Sequence, residues 1–227
     1  MKRQFWAFTA AVLAVGLLAA PASADPKPGM TFSTKGLNAW ADAYFAGPDG
    51  EAGLHVQGAA DTTTRVKMPG SQPEGYADDT SIIGFWSQTG TGGVEVTCIT
   101  GTGFDMDRAL DTATMRVEDC EATVVEWVCG PGPEDSCFPE EVGTVLLSAD
   151  VEWTGIGDEF RHRYNGRASS SGYWEMWRSS GTQREAQVTG EVDVDGVSYN
   201  LDNALHASGS LARVRDWTSS RGSAPWE

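Results

Sequence analysis

The chain has 227 residues, with 16 Lys and Arg against 32 Asp and Glu and a formal net charge of −16. A surface this acidic repels phosphate backbones and anionic lipid, which argues against nucleic acid and membrane surfaces as partners, and its plainest use is to keep an exported protein in solution. The length suits one all-β domain with a sizeable core.

Residues 1–24 read as a secretory signal peptide. Lys2 and Arg3 give the positive start, residues 10–20 the apolar centre, and Ala22-Ser23-Ala24 the small-residue cleavage site. The apolar run is too short to span a bilayer, and no Cys stands near the cleavage site to take a lipid anchor. The expected mature protein is secreted, extracellular and not inserted in a membrane. Residues 25–227 are read as a single all-β domain, with 25–36 (Pro26, Pro28, Gly29) a loose leader and 218–227 a loose tail.

Residues 39–46 alternate, the turn Gly47-Pro48-Asp49-Gly50 follows, and 54–58 alternate again, which predicts an N-terminal hairpin. A third strand is predicted over 62–68, then a Pro, Gly and acid-rich loop over 69–79. Residues 81–89 are apolar on both faces, the pattern of a central strand. Gly90 to Gly93 turn the chain into 94–98, and 112–128 read as one long strand, or two with a bulge near Cys120. The cleanest alternation lies within 142–201. Val145, Leu147, Ala149, Val151 and Trp153 share one face, as do Ala186, Val188, Val192 and Val194. Asp195-Gly196 between Val194 and Val197 is a strong hairpin signal. A mixed strand over 204–217 closes the chain. With no helix-period run of useful length, about ten short strands point to an antiparallel sandwich or barrel.

Four cysteines in an exported chain predict a disulfide-stapled fold, not a metal site. Residues 121–128 form a strand, which would hold Cys120 and Cys129 roughly 30 Å apart, against the about 7 Å that a disulfide tolerates. The favoured pairing is Cys98–Cys120 with Cys129–Cys137, since Gly-Pro-Gly-Pro-Glu-Asp-Ser between the last two is built for turning. The alternative is Cys98–Cys129 with Cys120–Cys137. No paired C-x-x-C or nearby His supports zinc.

Two acidic stretches imitate calcium loops. Glu191, Asp193, Asp195, Gly196 and Asp202 fall at EF-hand spacing, but the end positions are exchanged and strands replace the required helices, so a hairpin explains them better. Asp105, Asp107 and Asp111 are read as a solvated loop. No metal and no cofactor is expected. No nucleophile elbow, metalloprotease helix or phosphate loop appears.

The one basic run in this acidic chain holds Arg161, His162, Arg163 and Tyr164, and six residues after Arg167 comes the densest aromatic run, with Tyr173, Trp174 and Trp177. On adjacent strands Arg161 and Arg163 share one face, and Phe160, His162 and Tyr164 the other. Tyr173 and Trp177 lie opposite Trp174 and Met176. An aromatic strip beside Arg and Asn can stack on sugar rings or anchor a protein partner, and the competing reading is core packing with salt bridges. The resulting expectation is a secreted, non-enzymatic binding protein for a glycan or a protein partner. The alternatives are a glycan hydrolase with paired carboxylates and a structural envelope protein. Oligomeric state is not legible.

The stretches Ser-Ala-Asp-Val-Glu-Trp-Thr-Gly-Ile-Gly at 148–157, Arg-Glu-Ala-Gln-Val-Thr-Gly-Glu-Val at 184–192, and Asp195-Gly196 resemble uncharacterised secreted β-rich proteins of high-GC bacteria. The resemblance implies an exported all-β fold and no particular activity.

Overall fold

The computed structural model describes residues 29–47, 50–68, 70–89, 92–101, 103–129, 137–170 and 173–221. Residues 1–28, which include the expected signal peptide, residues 130–136 and the last six residues lie outside them. The strands are β1 (Thr31–Gly47), β2 (Gly50–Lys67), β3 (Glu74–Thr89), β4 (Gly92–Thr100), β5 (Phe104–Met106), β6 (Thr112–Cys129), β7 (Cys137–Ser170), β8 (Tyr173–Val194), β9 (Val197–Asn200) and β10 (His206–Arg221). All pair antiparallel in the order β10-β1-β2-β3-β4-β6-β7-β8-β9, with β5 also on β6, and β10 pairs with both β1 and β8. That last pairing closes the sheet. The fold is a barrel and not a sandwich.

Closure carries the stagger that a barrel requires. A path of cross-strand partners leaves β7 at Gly155 and passes Ala186, Gly209, Ala41, Val56 and Ile83 to Cys98. One residue beyond the Thr97–Thr123 pair it crosses to Ala122 and regains β7 at Val145. β5 continues the line of β4 along β6, so the two act as one interrupted wall strand. β9 flanks the upper end of β8, reached through the Asp195-Gly196 turn, whose positive φ values of 52° and 81° are those a tight hairpin needs.

Inward positions follow the period of two. Ala39, Ala41 and Ala43 on β1 join Leu54, Val56, Ile83, Val96, Met115, Leu147, Val151, Trp153, Val188 and Leu211 in one buried cluster. These side chains fill the lumen of the upper barrel as one hydrophobic core. Trp153 donates its indole N–H to the Trp40 carbonyl at 3.0 Å and meets the Phe104 ring edge-on at 6.2 Å. Gly58 is a glycine because the Phe104 ring lies where a Cβ would project. Cys98 and Cys120 form the expected disulfide, which ties β4 to β6. Cys129 faces Cys137 across β6–β7 in backbone register; their side chains lie outside the described residues.

The sequence reading is corrected at several edges. The strands are longer than expected. β1 begins at Thr31, inside the supposed leader, β10 runs past Thr218 to Arg221, and β3 begins at Glu74, inside the supposed loop. Residues 54–58 and 62–68 merge into β2, with a bulge near Ala60. These extensions are polar, so they carry no apolar alternation to read. They stay extended because neighbouring strands supply backbone partners: residues 31–35 pair with β2 on one side and β10 on the other.

Candidate functional site

The wall is not equally tall all round. β5 and β6 end at Met106 and Thr112, while β1, β2, β3, β7, β8 and β10 continue well below them. The lower half is therefore an open trough, cut away on the β5–β6 side and edged by β3 and β7. Its roof is the loop between β5 and β6, where buried Leu110 plugs the barrel. Asp107 organises that loop. Its carboxylate accepts from the backbone N–H groups of Ala109 (2.6 Å), Asp111 (3.2 Å) and Thr112 (2.6 Å) and from the Thr112 hydroxyl (2.9 Å). Burial alone would raise its pKa, but the hydrogen bonds from Thr112, Asp111 and Ala109 outweigh it and hold the carboxyl below its ordinary value. Arg184 locks the loop to β7 by donating to the carbonyls of Gly157 and Leu110 and pairing with Asp111.

Below this roof the inward face changes chemistry: the β1–β10 and β10–β8 registers run through unbroken, while β2 and β7 pass the boundary through bulges. On β1 the inward series Ala39, Leu37 continues as Lys35, Ser33 and Thr31, which pair with Arg215, Trp217 and Ser219 of β10. These face Ser180, Arg178 and Met176 of β8, which in turn face Arg163, Asn165 and Arg167 of β7. One level higher, Arg213 and Arg161 flank Thr182. On the other side Arg65 and Lys67 of β2 pair with Ser33 and Thr31. More than half of the chain's 16 Lys and Arg thus stand on one concave face. Small hydroxyl and amide side chains separate them, and Arg178 sits over the Trp217 ring at 5.4 Å. Among the described residues, carboxylates gather at the upper rim: Glu159 pairs with Arg213 at 3.5 Å, Asp61 with Arg108 at 2.5 Å, and Asp79 accepts the Asp61 backbone N–H at 3.0 Å. A shallow cavity of about 320 Å³ near Lys35 and Thr63 marks that rim.

Alternate residues along a strand are about 7 Å apart and adjacent strands about 5 Å. The cations therefore crowd well within a Debye length of one another, about 8 Å at physiological salt. Their mutual repulsion opposes folding.

The structure divides the predicted site residues. Arg161, Arg163 and Trp174 belong to the trough face. His162, Tyr164 and Trp177 belong to the outer face of the same strands, where the His162 and Tyr164 rings stack at 5.4 Å. Trp177 lies across Gly166, where a side chain would collide with the indole. The Tyr173 side chain lies outside the described residues. Each run is therefore split between the two faces, Arg161 and Arg163 with Trp174 on one and His162 and Tyr164 with Trp177 on the other. Arg167 and Arg178 belong to the two runs read from the sequence, and Lys35, Arg65, Lys67, Arg213 and Arg215 join them only in the structure, although the i, i+2 pairs Arg65/Lys67 and Arg213/Arg215 are a legible sign of cations sharing a strand face.

The calcium lookalikes are accounted for structurally. Asp193 accepts the Gly196 N–H at 2.7 Å and holds the hairpin turn, and Asp107 serves its loop. Among the described residues no group of three or more His, Cys, Asp or Glu is arranged to hold a metal. A second cluster escaped the sequence reading on the barrel's outer wall. There Tyr44 meets Trp86 edge-on at 6.0 Å and His206 at 6.4 Å, beside a His55–Asp42 hydrogen bond of 2.8 Å.

No protein-family model, no curated protein and no solved structure matches the chain.

Proposed function

We propose that this is an exported, non-enzymatic binding protein that holds an extended acidic glycan in the cationic trough. The observation that carries the reading is the concentration of Lys and Arg on one concave face of an otherwise acidic chain, where the carboxylates found among the described residues, Asp61, Asp79 and Glu159, stand at the upper rim. Such an array attracts a polymer bearing a charge on successive sugar rings, and the interleaved Ser33, Ser180, Thr182 and Asn165 offer partners for hydroxyl groups. The trough face lacks the facing carboxylate pair that glycoside hydrolysis uses, so it favours holding over cutting. Among the described residues no helix is long and apolar enough to cross a membrane. The barrel's outer wall carries exposed Asp150, Glu152, Glu185 and Glu191 where a membrane-spanning barrel presents an apolar band. The disulfide fits an oxidising compartment.

The test is retention of the oxidised mature protein on immobilised polygalacturonate, dextran sulfate and neutral dextran. Binding to the two acidic polymers at low salt, lost at high salt and in the Arg163→Glu/Arg215→Glu variant, is the expected result. Equal binding to neutral dextran, or preference for single-stranded DNA over both acidic glycans, would overturn the glycan reading.

A further inference from the structure

The trough has two open edges, and these differ in chemistry. Among the described residues, 74–80 of β3 pair only with β2, and 160–170 of β7 pair only with β8. Each leaves a row of backbone groups facing outward, a template for a further strand. The β7 edge carries Arg161, Arg163 and Arg167 and would repel a second β7 edge. The β3 edge carries Glu74, Asp78 and Asp79 and would repel a second β3 edge. Each is suited to the other.

We propose that copies of this chain join head to tail, the β3 edge of one adding antiparallel to the β7 edge of the next. One register satisfies both faces. Glu74, Tyr76 and Asp78 fall opposite Arg167, Asn165 and Arg163 of the neighbouring copy. On the reverse face Gly75, Ala77 and Asp79 fall opposite Gly166, Tyr164 and His162. Acids meet bases, and no two bulky side chains are opposed on the reverse face. Gly75 meets Gly166, which already lies beneath the Trp177 ring, and Ala77 meets the exposed Tyr164. Cross-strand pairs of this kind are the unit of sheet stabilisation. In this register the outer face of one trough continues into the inner face of the next, so successive sheets curve in alternate directions. Two different edges meet, so the contact is heterologous and generates an open chain of subunits instead of a closed dimer. The argument rests on edge pairing and is independent of what the trough binds.

The experiment is sedimentation velocity on the oxidised mature protein, without glycan, over a dilution series at low and high salt. Species growing beyond the dimer with concentration, with apparent affinity weakened about tenfold or more by salt, are expected. Two charge-reversed proteins sharpen it: Glu74→Lys/Asp78→Lys and Arg163→Glu/Arg167→Glu. Each alone should remain monomeric, since both its edges then carry one sign, and an equimolar mixture should associate again. Circular dichroism checks that each is folded, and Glu74→Gln/Asp78→Asn, which should weaken association without reversing charge, replaces any that is not. A wild-type protein that stays monomeric at every concentration, a closed dimer that grows no further, or reversed variants that do not re-associate on mixing would each overturn the proposal.

Discussion

The upper and lower halves of this molecule share strands and antiparallel backbone pairing, yet their inward faces are opposites. Above Leu37 the wall is complete, and inward positions from Ala39 to Trp153 exclude water. Below it β5 and β6 have ended, the same face is wet, and Lys35, Arg215 and Arg163 stand where alanine and valine stood a few residues earlier. Backbone pairing alone therefore does not decide what a barrel wall presents inward. Closure does, because only a closed ring removes the face from water and makes burial of charge prohibitive. The lower half keeps its strands through backbone pairing and gives its inner face to charge.

This contrast can be broken most directly in the upper half. Trp153→Ala removes the bulkiest fully buried side chain and strands the Trp40 carbonyl that it serves. A loss of about 3–5 kcal/mol is expected in urea unfolding; a loss under about 1 kcal/mol would mean that the packed lumen is not the source of stability. Replacing Cys98 and Cys120 together by Ala frees a cross-link spanning 22 residues and should cost about 3 kcal/mol, read by the same unfolding curves with and without reductant.

Smaller effects belong to the roof between the halves. Asp107→Ala leaves backbone N–H groups of Ala109, Asp111 and Thr112 without their acceptor and should cost about 1 kcal/mol. Because the folded-state pKa of Asp107 lies below its ordinary value, its contribution is complete above the usual carboxylate range. It is lost as pH falls through the lowered folded value. Asp107→Asn should therefore flatten that part of the acid-unfolding curve; an unchanged acid limb would show that the carboxylate is not what titrates there.

The smallest change in stability is expected in the lower half, where the change in binding should be largest. Arg163→Ser with Arg215→Ser should shift the melting temperature by no more than about 2 °C, since it removes repulsion along with side-chain contacts. The same pair should weaken dextran sulfate binding at least about tenfold. A large fall in melting temperature would mean that these arginines hold the trough together, and the contrast between the halves would fail.

Much of this was legible in the residues themselves. A side-chain period of two within 142–201 names strands and their buried face, since pleating sends alternate side chains to opposite sides wherever the strand sits. Asp195-Gly196 names its turn because few residues accept positive φ, and the extended run 121–128 excludes one disulfide and favours Cys98–Cys120. The same parity separates Arg161 and Arg163 from His162 and Tyr164. Local rules reach no further. Barrel or sandwich was decided by β10 lying between β1 and β8, a pairing of segments more than 160 residues apart that no local pattern encodes. The assembly of Lys35, Arg65, Arg178 and Arg215 on one face was decided the same way, because the four come from four different strands. Their companionship follows from register across the closed sheet, and register is a property of the tertiary structure.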